Sequence, residues 1–318
     1  MMKQIGCVAG FMLSLAVTSV SAQYPERPVT LIVPFAPGGG TDIVARYIAD
    51  RLKDALRQPV VVENRPGAGG FVGLTQVARG QPDGYTLGVT ASTMNAGPVL
   101  TTAWTLDPVK DFTYIANLVE APLFIVTNSQ TPLLNAAELL AYAKRNPGKL
   151  NFGNVAPLGE LELGLIRSKG ALDITIVPYK GSSATDTALL ANEVQLTFNS
   201  YRGARAMVEA GKVRLLAVSG RERSALAPSI PSFTELGLPQ FSGFSYGIVG
   251  PSGVPQPVAQ QLNRAVNAVL TSPEAREYLV EKSSYRIIPG TPEQFRAEVE
   301  ADVARFQEAA RVTGTKPK

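Results

Sequence analysis

The chain has 318 residues, of which 45% are hydrophobic and 18% charged, the composition of a globular protein long enough for two domains. Its 30 lysines and arginines outnumber its 26 acidic residues by too few to indicate nucleic-acid binding. The absence of histidine excludes Ser-His-Asp and Cys-His catalysis and histidine-ligated zinc, and the single cysteine excludes a disulfide framework.

Residues 1–22 are predicted to be a signal peptide. Lys3 precedes an apolar run over residues 5–20, and Val20 and Ala22 supply the small residues typical of a cleavage site. A membrane anchor is the alternative, but the run is shorter than the ~20 residues that span a bilayer. The sequence therefore predicts a periplasmic protein that is cleaved near Ala22.

Strand-like apolar runs alternate with helix-like runs along the rest of the chain, which indicates α/β architecture with largely parallel sheets. Strands are predicted at 29–35, 60–63, 85–90, 125–127, 150–153, 174–178, 194–198 and 215–219. Helices are predicted at 42–56, 73–79, 136–145, 161–170, 184–191, 203–209, 257–270, 273–282 and 292–310.

The chain is predicted to form two α/β units, because proline and glycine interrupt the pattern near residues 120–123 and 238–244. A helical section at the end of the chain returns to cover one unit. The boundaries place residues 23–121 and 244–318 in lobe 1 and residues 122–243 in lobe 2.

A glycine-rich turn at residues 37–40 is the strongest local sign of a binding site. It joins a predicted strand to a helix start, where the first amides lack intrahelical partners and carry partial positive charge. Three glycines allow close approach to a ligand, and Thr41 or Asp42 is expected to cap the helix. No Gly-Lys-Ser/Thr motif follows, so a carboxylate is favoured over a nucleotide.

Asn199 and Arg202 are further candidates, because they follow a predicted strand at the end where open α/β sheets bind ligands. An arginine can hold a carboxylate through two parallel hydrogen bonds, so Arg202 is predicted to hold the second carboxylate of a dicarboxylate. A purely solvent-exposed arginine fits the sequence equally well. Glu162 would repel a second ligand carboxylate unless it is neutral, turned away or paired with Arg202.

Six stretches carry a family resemblance over nearly all of the mature chain: residues 24–29, 32–42, 60–70, 82–87, 177–181 and 210–214. With them the chain resembles a Bug-type solute-binding protein, the periplasmic receptor of tripartite tricarboxylate transporters. The resemblance implies an α/β, two-lobed periplasmic binding protein of type II-like fold, with the ligand in the cleft between the lobes.

The resemblance also implies that residues 35–42 hold one carboxylate, and that Ser92 and Thr93 add contacts from the same lobe. The family's glycine- and serine-rich second-lobe loop is replaced by a segment with Ala156, Pro157 and Leu158, which makes that wall more apolar. The ligand-binding candidates are Phe35, Ala36, Pro37, Gly38, Gly39, Gly40, Thr41, Asp42, Ser92, Thr93, Asn154, Gly159, Tyr179, Asn199 and Arg202.

The leading hypothesis is a non-catalytic periplasmic receptor that delivers a di- or tricarboxylate, or an aromatic carboxylate, to the membrane subunits of such a transporter. A periplasmic α/β enzyme acting on a carboxylate or ester is the second hypothesis, and a ligand-sensing module for a membrane sensor is the third. The protein is expected to be a monomer without metal, cofactor or nucleic-acid partner.

Overall fold

The computed structural model describes residues 24–155, 157–169, 172–239 and 243–317. The predicted signal peptide, residues 1–22, lies outside these ranges. The strands are β1 (Val29–Val33), β2 (Val60–Asn64), β3 (Thr86–Ala91), β4 (Phe112–Ala121), β5 (Leu123–Asn128), β6 (Leu150–Asn154), β7 (Ile174–Pro178), β8 (Leu196–Ser200), β9 (Val213–Val218), β10 (Phe244–Pro251) and β11 (Arg286–Ile287).

Ten α-helices accompany these strands in the described ranges. They are α1 (Gly40–Leu56), α2 (Phe71–Ala78), α3 (Ser92–Leu100), α4 (Ala136–Arg145), α5 (Pro157–Ser168), α6 (Ser182–Leu190), α7 (Tyr201–Glu209), α8 (Gln256–Leu270), α9 (Pro273–Ala275) and α10 (Pro292–Thr313). A 3₁₀ turn at Ala68–Gly70 leads into α2, and a π-helical stretch at Arg276–Lys282 continues α9. None of the described helices is both long and apolar enough to cross a bilayer.

The strands form two sheets, and each sheet with its helices makes one lobe. The first sheet has the order β11-β4-β10-β3-β1-β2, and the second has the order β7-β6-β8-β5-β9. The chain passes from the first sheet to the second at Pro122, between β4 and β5. It returns before β10 through a crossover whose residues 240–242 lie outside the described ranges. The expected two-lobed α/β fold is confirmed.

The expectation of largely parallel sheets is wrong. β2, β1 and β3 are parallel, as are β7, β6 and β8, but β10 is antiparallel to both β3 and β4. β5 is likewise antiparallel to β8 and β9. The antiparallel pairs involve the strands next to the two connections between the lobes. Antiparallel neighbours do not need the helical connection that joins parallel strands.

The last helix contacts both lobes. α10 packs on β4 and α3 of the first lobe and on α5 of the second. Phe306, Ala309 and Ala310 of α10 share an apolar cluster with Leu161 and Leu165 of α5. The predicted return of the C-terminal section is present, but this section bridges the two lobes instead of covering one.

Candidate ligand-binding site

The glycine turn after β1 exposes the amino end of α1. The helix begins at Gly40, and its N-cap residue is Gly39, which supplies no side-chain cap. The expectation that Thr41 or Asp42 caps the helix is wrong, because both residues lie inside the first turn. Among the described residues, the amides of Gly39 and Gly40 have no hydrogen-bond partner. They remain available to an anion.

Asp42 holds the turn in shape. Its buried carboxylate accepts hydrogen bonds from the Gly38 amide (2.9 Å), Arg46 Nε (3.0 Å) and Asn64 Nδ2 (2.8 Å). Burial by itself raises the pKa of Asp42, but these hydrogen bonds and the charge of Arg46 outweigh it and hold the pKa below its usual value. The carboxylate is therefore ionised and satisfied by protein groups, so we interpret Asp42 as a residue that positions the turn.

The turn faces two tyrosines that come from distant parts of the chain. A Cβ atom on Gly40 would lie 2.8 Å from the hydroxyl oxygens of both Tyr246 and Tyr285, whereas one on Gly39 would come no closer than 3.7 Å to any neighbour, the carbonyl oxygen of Ala36. The Thr41 side chain lies close enough to Tyr246 to oppose the rise that burial causes in the pKa of Tyr246. Two phenol groups therefore cover Gly40 and leave Gly39 open.

The other residues of the turn differ in exposure. Ala36, Pro37 and Gly38 are exposed, and Phe35 is half-buried with its ring close to Gly70. A positive φ of 84° at Gly38 explains the glycine there.

Arg202 approaches this region from the second lobe. It lies in the first turn of α7 and is exposed. Burial raises the pKa of Tyr285, and the positive charge of Arg202 opposes that rise. The guanidinium is therefore close enough to act on the phenol that covers Gly40. Arg202 does not line the second-lobe cavity described below, and its part in ligand binding stays a prediction.

A cavity of about 300 Å³ lies where the second lobe meets the crossovers. It brings together three of the predicted residues, Asn154, Gly159 and Asn199. The rest of its lining is Ala121, Leu123, Gly153, Val155, Leu158, Glu162, Ser182, Phe198, Ser200, Gly243 and Phe244. Of the three residues predicted to make this wall apolar, Leu158 lines the cavity, Ala156 lies outside the described residues, and the side chain of Pro157 is not described either.

Three helices of the second lobe begin at or next to this cavity. Ser182 is the first residue of α6, Gly159 lies in the first turn of α5, and Ser200 is the N-cap of α7. The positive ends of three helix dipoles therefore point toward one cavity, an arrangement that favours a bound anion.

The two buried asparagines order these helix starts. Asn199 Nδ2 donates to Asp186 Oδ1 of α6 at 2.9 Å, and its Oδ1 lies against Gly203 of α7. The side chain of Asn154 lies against Gly159, and the backbone carbonyl oxygen of Asn154 accepts a hydrogen bond from the Tyr179 amide at 2.8 Å. The Tyr179 side chain is half-buried against the apolar core of the second lobe and is absent from the cavity lining.

Ser92 connects the first lobe to the rim of the cavity. It is the first residue of α3, and its buried hydroxyl donates to the carbonyl oxygen of Gly243 at 3.1 Å. Its neighbour Thr93 is half-buried. Ser92 therefore fixes the returning crossover next to the amino end of α3, at the same edge of the sheet as the glycine turn.

Glu162 is the most unusual group in the cavity wall. Its side chain is buried, and Oε1 has no hydrogen-bond partner among the described residues. Burial raises the pKa of this carboxyl well above its usual value, Asp302 of α10 raises it further, and Arg305 of α10 opposes the shift. The sequence allows Glu162 to be neutral, turned away or paired with Arg202, and this environment favours the neutral acid. The charged groups that act on Glu162 lie on α10.

Sequence reasoning did not find Tyr246, Tyr285 or Phe244. Tyr246 and Phe244 belong to β10, and Tyr285 precedes β11. Each reaches the site only because the chain returns to the first sheet after the second lobe, and no local motif marks them. In the described ranges no group of three acidic, histidine or cysteine side chains is placed to hold a metal ion.

Known proteins are similar to this chain in both sequence and fold. The chain is 32% identical to the protein BugT of Bordetella pertussis over 325 residues, which covers all of this chain and 99% of BugT. Among solved structures it is similar to the periplasmic binding protein BugD (32% identity, 93% of this chain and 100% of BugD, TM-score 0.69).

Two further similar structures contain a bound dicarboxylate. Rpa4515 of R. palustris, solved with adipate, is 32% identical, covers 93% of this chain and 100% of its own, and has a TM-score of 0.72. MatC of Rhodopseudomonas palustris, solved with malate, is 31% identical, covers 90% and 99%, and has a TM-score of 0.67.

The family comparison agrees with these relatives. Residues 44–305 match the family TctC, described as the tripartite tricarboxylate transporter family receptor. This match covers most of both lobes, from α1 to α10. Its members and structural neighbours are solute-binding proteins and not enzymes. The chain therefore belongs to the TctC family of tripartite tricarboxylate transporter receptors.

Proposed function

We propose that this protein captures a small carboxylate in the cleft between its lobes and delivers it to the membrane subunits of a tripartite tricarboxylate-type transporter. The observation that carries the proposal is that helix amino ends in both lobes are free to meet an anion. α1 offers unpartnered amides in the first lobe, and α5, α6 and α7 begin around one cavity in the second. Each lobe thus supplies an anion-binding surface.

The ligand spans both surfaces in this proposal. One carboxylate meets the amides of Gly39 and Gly40 and the guanidinium of Arg202. The rest of the ligand enters the second-lobe cavity, where Leu158, Phe198 and Phe244 suit an aliphatic or aromatic middle. The adipate and malate bound by the two neighbours from R. palustris support a dicarboxylate.

We also propose that the mature protein acts in the periplasm as a monomer after cleavage near Ala22. BugD, which is similar over nearly the whole chain, is described as a periplasmic binding protein. We propose that residues 23–121 and 244–318 form one lobe and residues 122–243 the other. The change of sheet at Pro122 and again before Phe244 supports this division.

Calorimetric titration of the mature protein tests the capture step. The panel consists of malate, adipate, citrate and terephthalate, with sulfate as an inorganic control. We expect at least one carboxylate to bind and to be recovered chemically unchanged after incubation. We expect sulfate not to compete with it. Failure of every carboxylate to bind contradicts the proposal, and turnover of a ligand supports the enzyme alternative.

Transport of the captured carboxylate tests the delivery step. Uptake of the labelled ligand is measured in cells with and without the gene for this protein. Loss of uptake, restored by the wild-type gene, supports the receptor role. Unchanged uptake together with a lost transcriptional response to the ligand supports the sensing alternative.

A further inference from the structure

Glu162 is a buried carboxyl group with an unused hydrogen-bonding atom at the ligand cavity. Only 4% of the residue is exposed, and Oε1 has no partner among the described residues. A buried polar atom without a partner is rare in folded proteins and calls for a physical reason. Because this atom belongs to a residue of the cavity wall, a bound ligand is the natural partner.

The charged groups around Glu162 come from one neighbouring helix. Asp302 and Arg305 of α10 act on it with opposite sign. On the cavity side the polar neighbours are the neutral residues Asn154, Ser182, Asn199 and Ser200. Asp186 of α6 accepts a hydrogen bond from Asn199. No described cation faces Glu162 from the cavity side.

The same cavity favours negative charge, since three helices begin around it. An ionised Glu162 would oppose a ligand anion there, whereas the neutral acid has an O–H group to donate. A hydrogen bond from a carboxylic acid to a carboxylate is short and strong. The acid form of Glu162 therefore matches the anion that the helix ends attract.

We propose that Glu162, as the neutral acid, donates a hydrogen bond to the far carboxylate of a dicarboxylate ligand, so that capture of this ligand requires one proton on the receptor. This inference rests on the proposed function, because it assigns the second end of a ligand whose first end lies at the α1 turn. It makes Glu162 a specificity-determining residue for the dicarboxylate class.

The direction of the pH dependence follows from this assignment. Only the protonated receptor binds the far carboxylate, and burial raises the pKa of Glu162 well above its usual value. The affinity is therefore constant below the pKa of Glu162 in the free protein. Above that pKa it falls about tenfold per pH unit, as one-proton linkage requires.

The test uses adipate and hexanoate, which share a six-carbon chain but differ in the far carboxylate. Both are titrated into the wild-type protein, Glu162→Gln and Glu160→Gln between pH 6 and pH 10. Glu160 is the matched control, because it is an exposed acid on the same helix. Glutamine keeps the shape of Glu162 and a donor group but cannot titrate.

We expect the adipate affinity of the wild-type protein and of Glu160→Gln to fall tenfold per pH unit at the alkaline end, while that of Glu162→Gln stays flat. Titration in buffers of different ionisation heat should show uptake of up to one proton with adipate, none with hexanoate and none in Glu162→Gln. Thermal melting of each variant confirms that it is folded. If Glu162→Gln melts differently from the wild-type protein, Glu162→Asp is measured as well. Aspartate keeps a titratable carboxyl group, so this variant should retain the pH dependence.

Several results would overturn the inference and leave the proposed function standing. One is an identical pH profile in the wild-type protein and Glu162→Gln, and another is binding of other carboxylates but not of adipate. A third is tighter binding of 6-aminohexanoate than of adipate, lost in Glu162→Gln, which would show an ionised Glu162 holding a cation. Failure of every carboxylate tested, by contrast, overturns the proposed function itself.

Discussion

The hydroxyl oxygen of Tyr285 lies 2.8 Å from the position that a Cβ atom would take on Gly40. Tyr246 stands at the same distance, so the two phenols cover the first residue of α1 and exclude a side chain. The glycine turn is therefore made of two unlike positions. Gly40 is required for packing, and Gly39 faces open space.

The Gly40→Ala variant should destabilise the protein by about 1–3 kcal/mol, the usual cost of adding a methyl group to a packed site. Gly39→Ala should leave stability nearly unchanged, because its Cβ would be 3.7 Å from its nearest neighbour. Urea unfolding of both variants measures the difference. Equal stabilities would contradict the packing of the two tyrosines on Gly40.

The Gly39→Val variant should abolish carboxylate binding while the protein stays folded. Its φ of −76° suits valine, and the side chain would project into open space where a ligand approaches the amides. Calorimetry with the tightest carboxylate of the panel measures the loss, and thermal melting checks the fold. Ala103→Val, at an exposed loop position, is the control. Unchanged affinity in Gly39→Val would show that the turn is only structural.

The sequence predicts helices and strands well where apolar residues repeat at one regular spacing along the whole element. The predicted bounds of α4 and β7 agree with the structure, because each has a clear pattern and clear stop residues. β4 and β10 escaped prediction for physical reasons. β4 buries Asn117 and Glu120, and β10 contains Gly247 and Gly250, so neither shows an ordinary strand pattern. Both are stabilised by antiparallel pairing with distant parts of the chain.

In the candidate site too, local sequence patterns mark some residues, while others reach the site only through tertiary contacts. The turn at residues 37–40 and the polar ends of β6 and β8 carry local signals, and the structure brings Asn154 and Asn199 to one cavity. Tyr246 and Tyr285 meet the turn only through tertiary contacts across more than 200 residues of chain. The burial of Glu162, whose Oε1 has no hydrogen-bond partner among the described residues, depends on the packing of α10 on α5, which no local pattern encodes.

The Asp42→Asn variant should destabilise the protein by about 1.5–3 kcal/mol at pH 7, the range for a hydrogen bond to a charged group. The folded pKa of Asp42 is lowered, so its contribution is complete above the unfolded pKa near 3.9 and is lost as the pH falls through the folded pKa. The difference from wild type should therefore shrink below pH 4. Urea unfolding at pH 7 and pH 3 measures it.

Asp50→Asn is the control for Asp42→Asn, because Asp50 lies on the same helix and is exposed beside Lys53. We expect little change in this variant, as is usual for surface ion pairs. A deficit in Asp42→Asn that stays constant with pH would contradict an ionised, hydrogen-bonded Asp42.

The Arg286→Ala variant should destabilise the protein by about 3 kcal/mol at pH 8, because it leaves the buried Glu120 carboxylate without its ion-pair partner. Burial raises the pKa of Glu120 to about 7 even with Arg286 opposing it. The neutral acid is therefore favoured at lower pH, and about 1.4 kcal/mol of the loss, set by the one-unit gap between pH 8 and this pKa, should disappear at pH 5. Denaturant unfolding at both pH values checks the sign.

Glu120→Gln combined with Arg286→Ala should recover most of that stability at pH 8, since no buried charge remains. Arg296→Ala, which breaks an exposed pair with Glu300, is the control. Glu120 lies two residues before Pro122, so this ion pair stabilises the chain where it crosses between the lobes. A double variant as unstable as Arg286→Ala would show that the arginine acts through packing alone.

Arg202→Ala should weaken binding of monocarboxylates and dicarboxylates by the same amount, about 2–4 kcal/mol, the range for losing one member of a charge pair that ligand binding buries. The reason is its position. Arg202 acts on Tyr285, which covers Gly40. Under the proposed function, its guanidinium therefore contacts the carboxylate at the α1 turn, which both ligand classes have. Calorimetry with adipate and hexanoate measures both losses. The control is Arg205→Ala, because Arg205 is an exposed arginine on the same helix.

Arg202→Lys should recover only part of the affinity, because an ammonium group cannot form the two parallel bonds of a guanidinium. A loss confined to adipate would instead place Arg202 at the far carboxylate, and no loss for either ligand would place it in solvent.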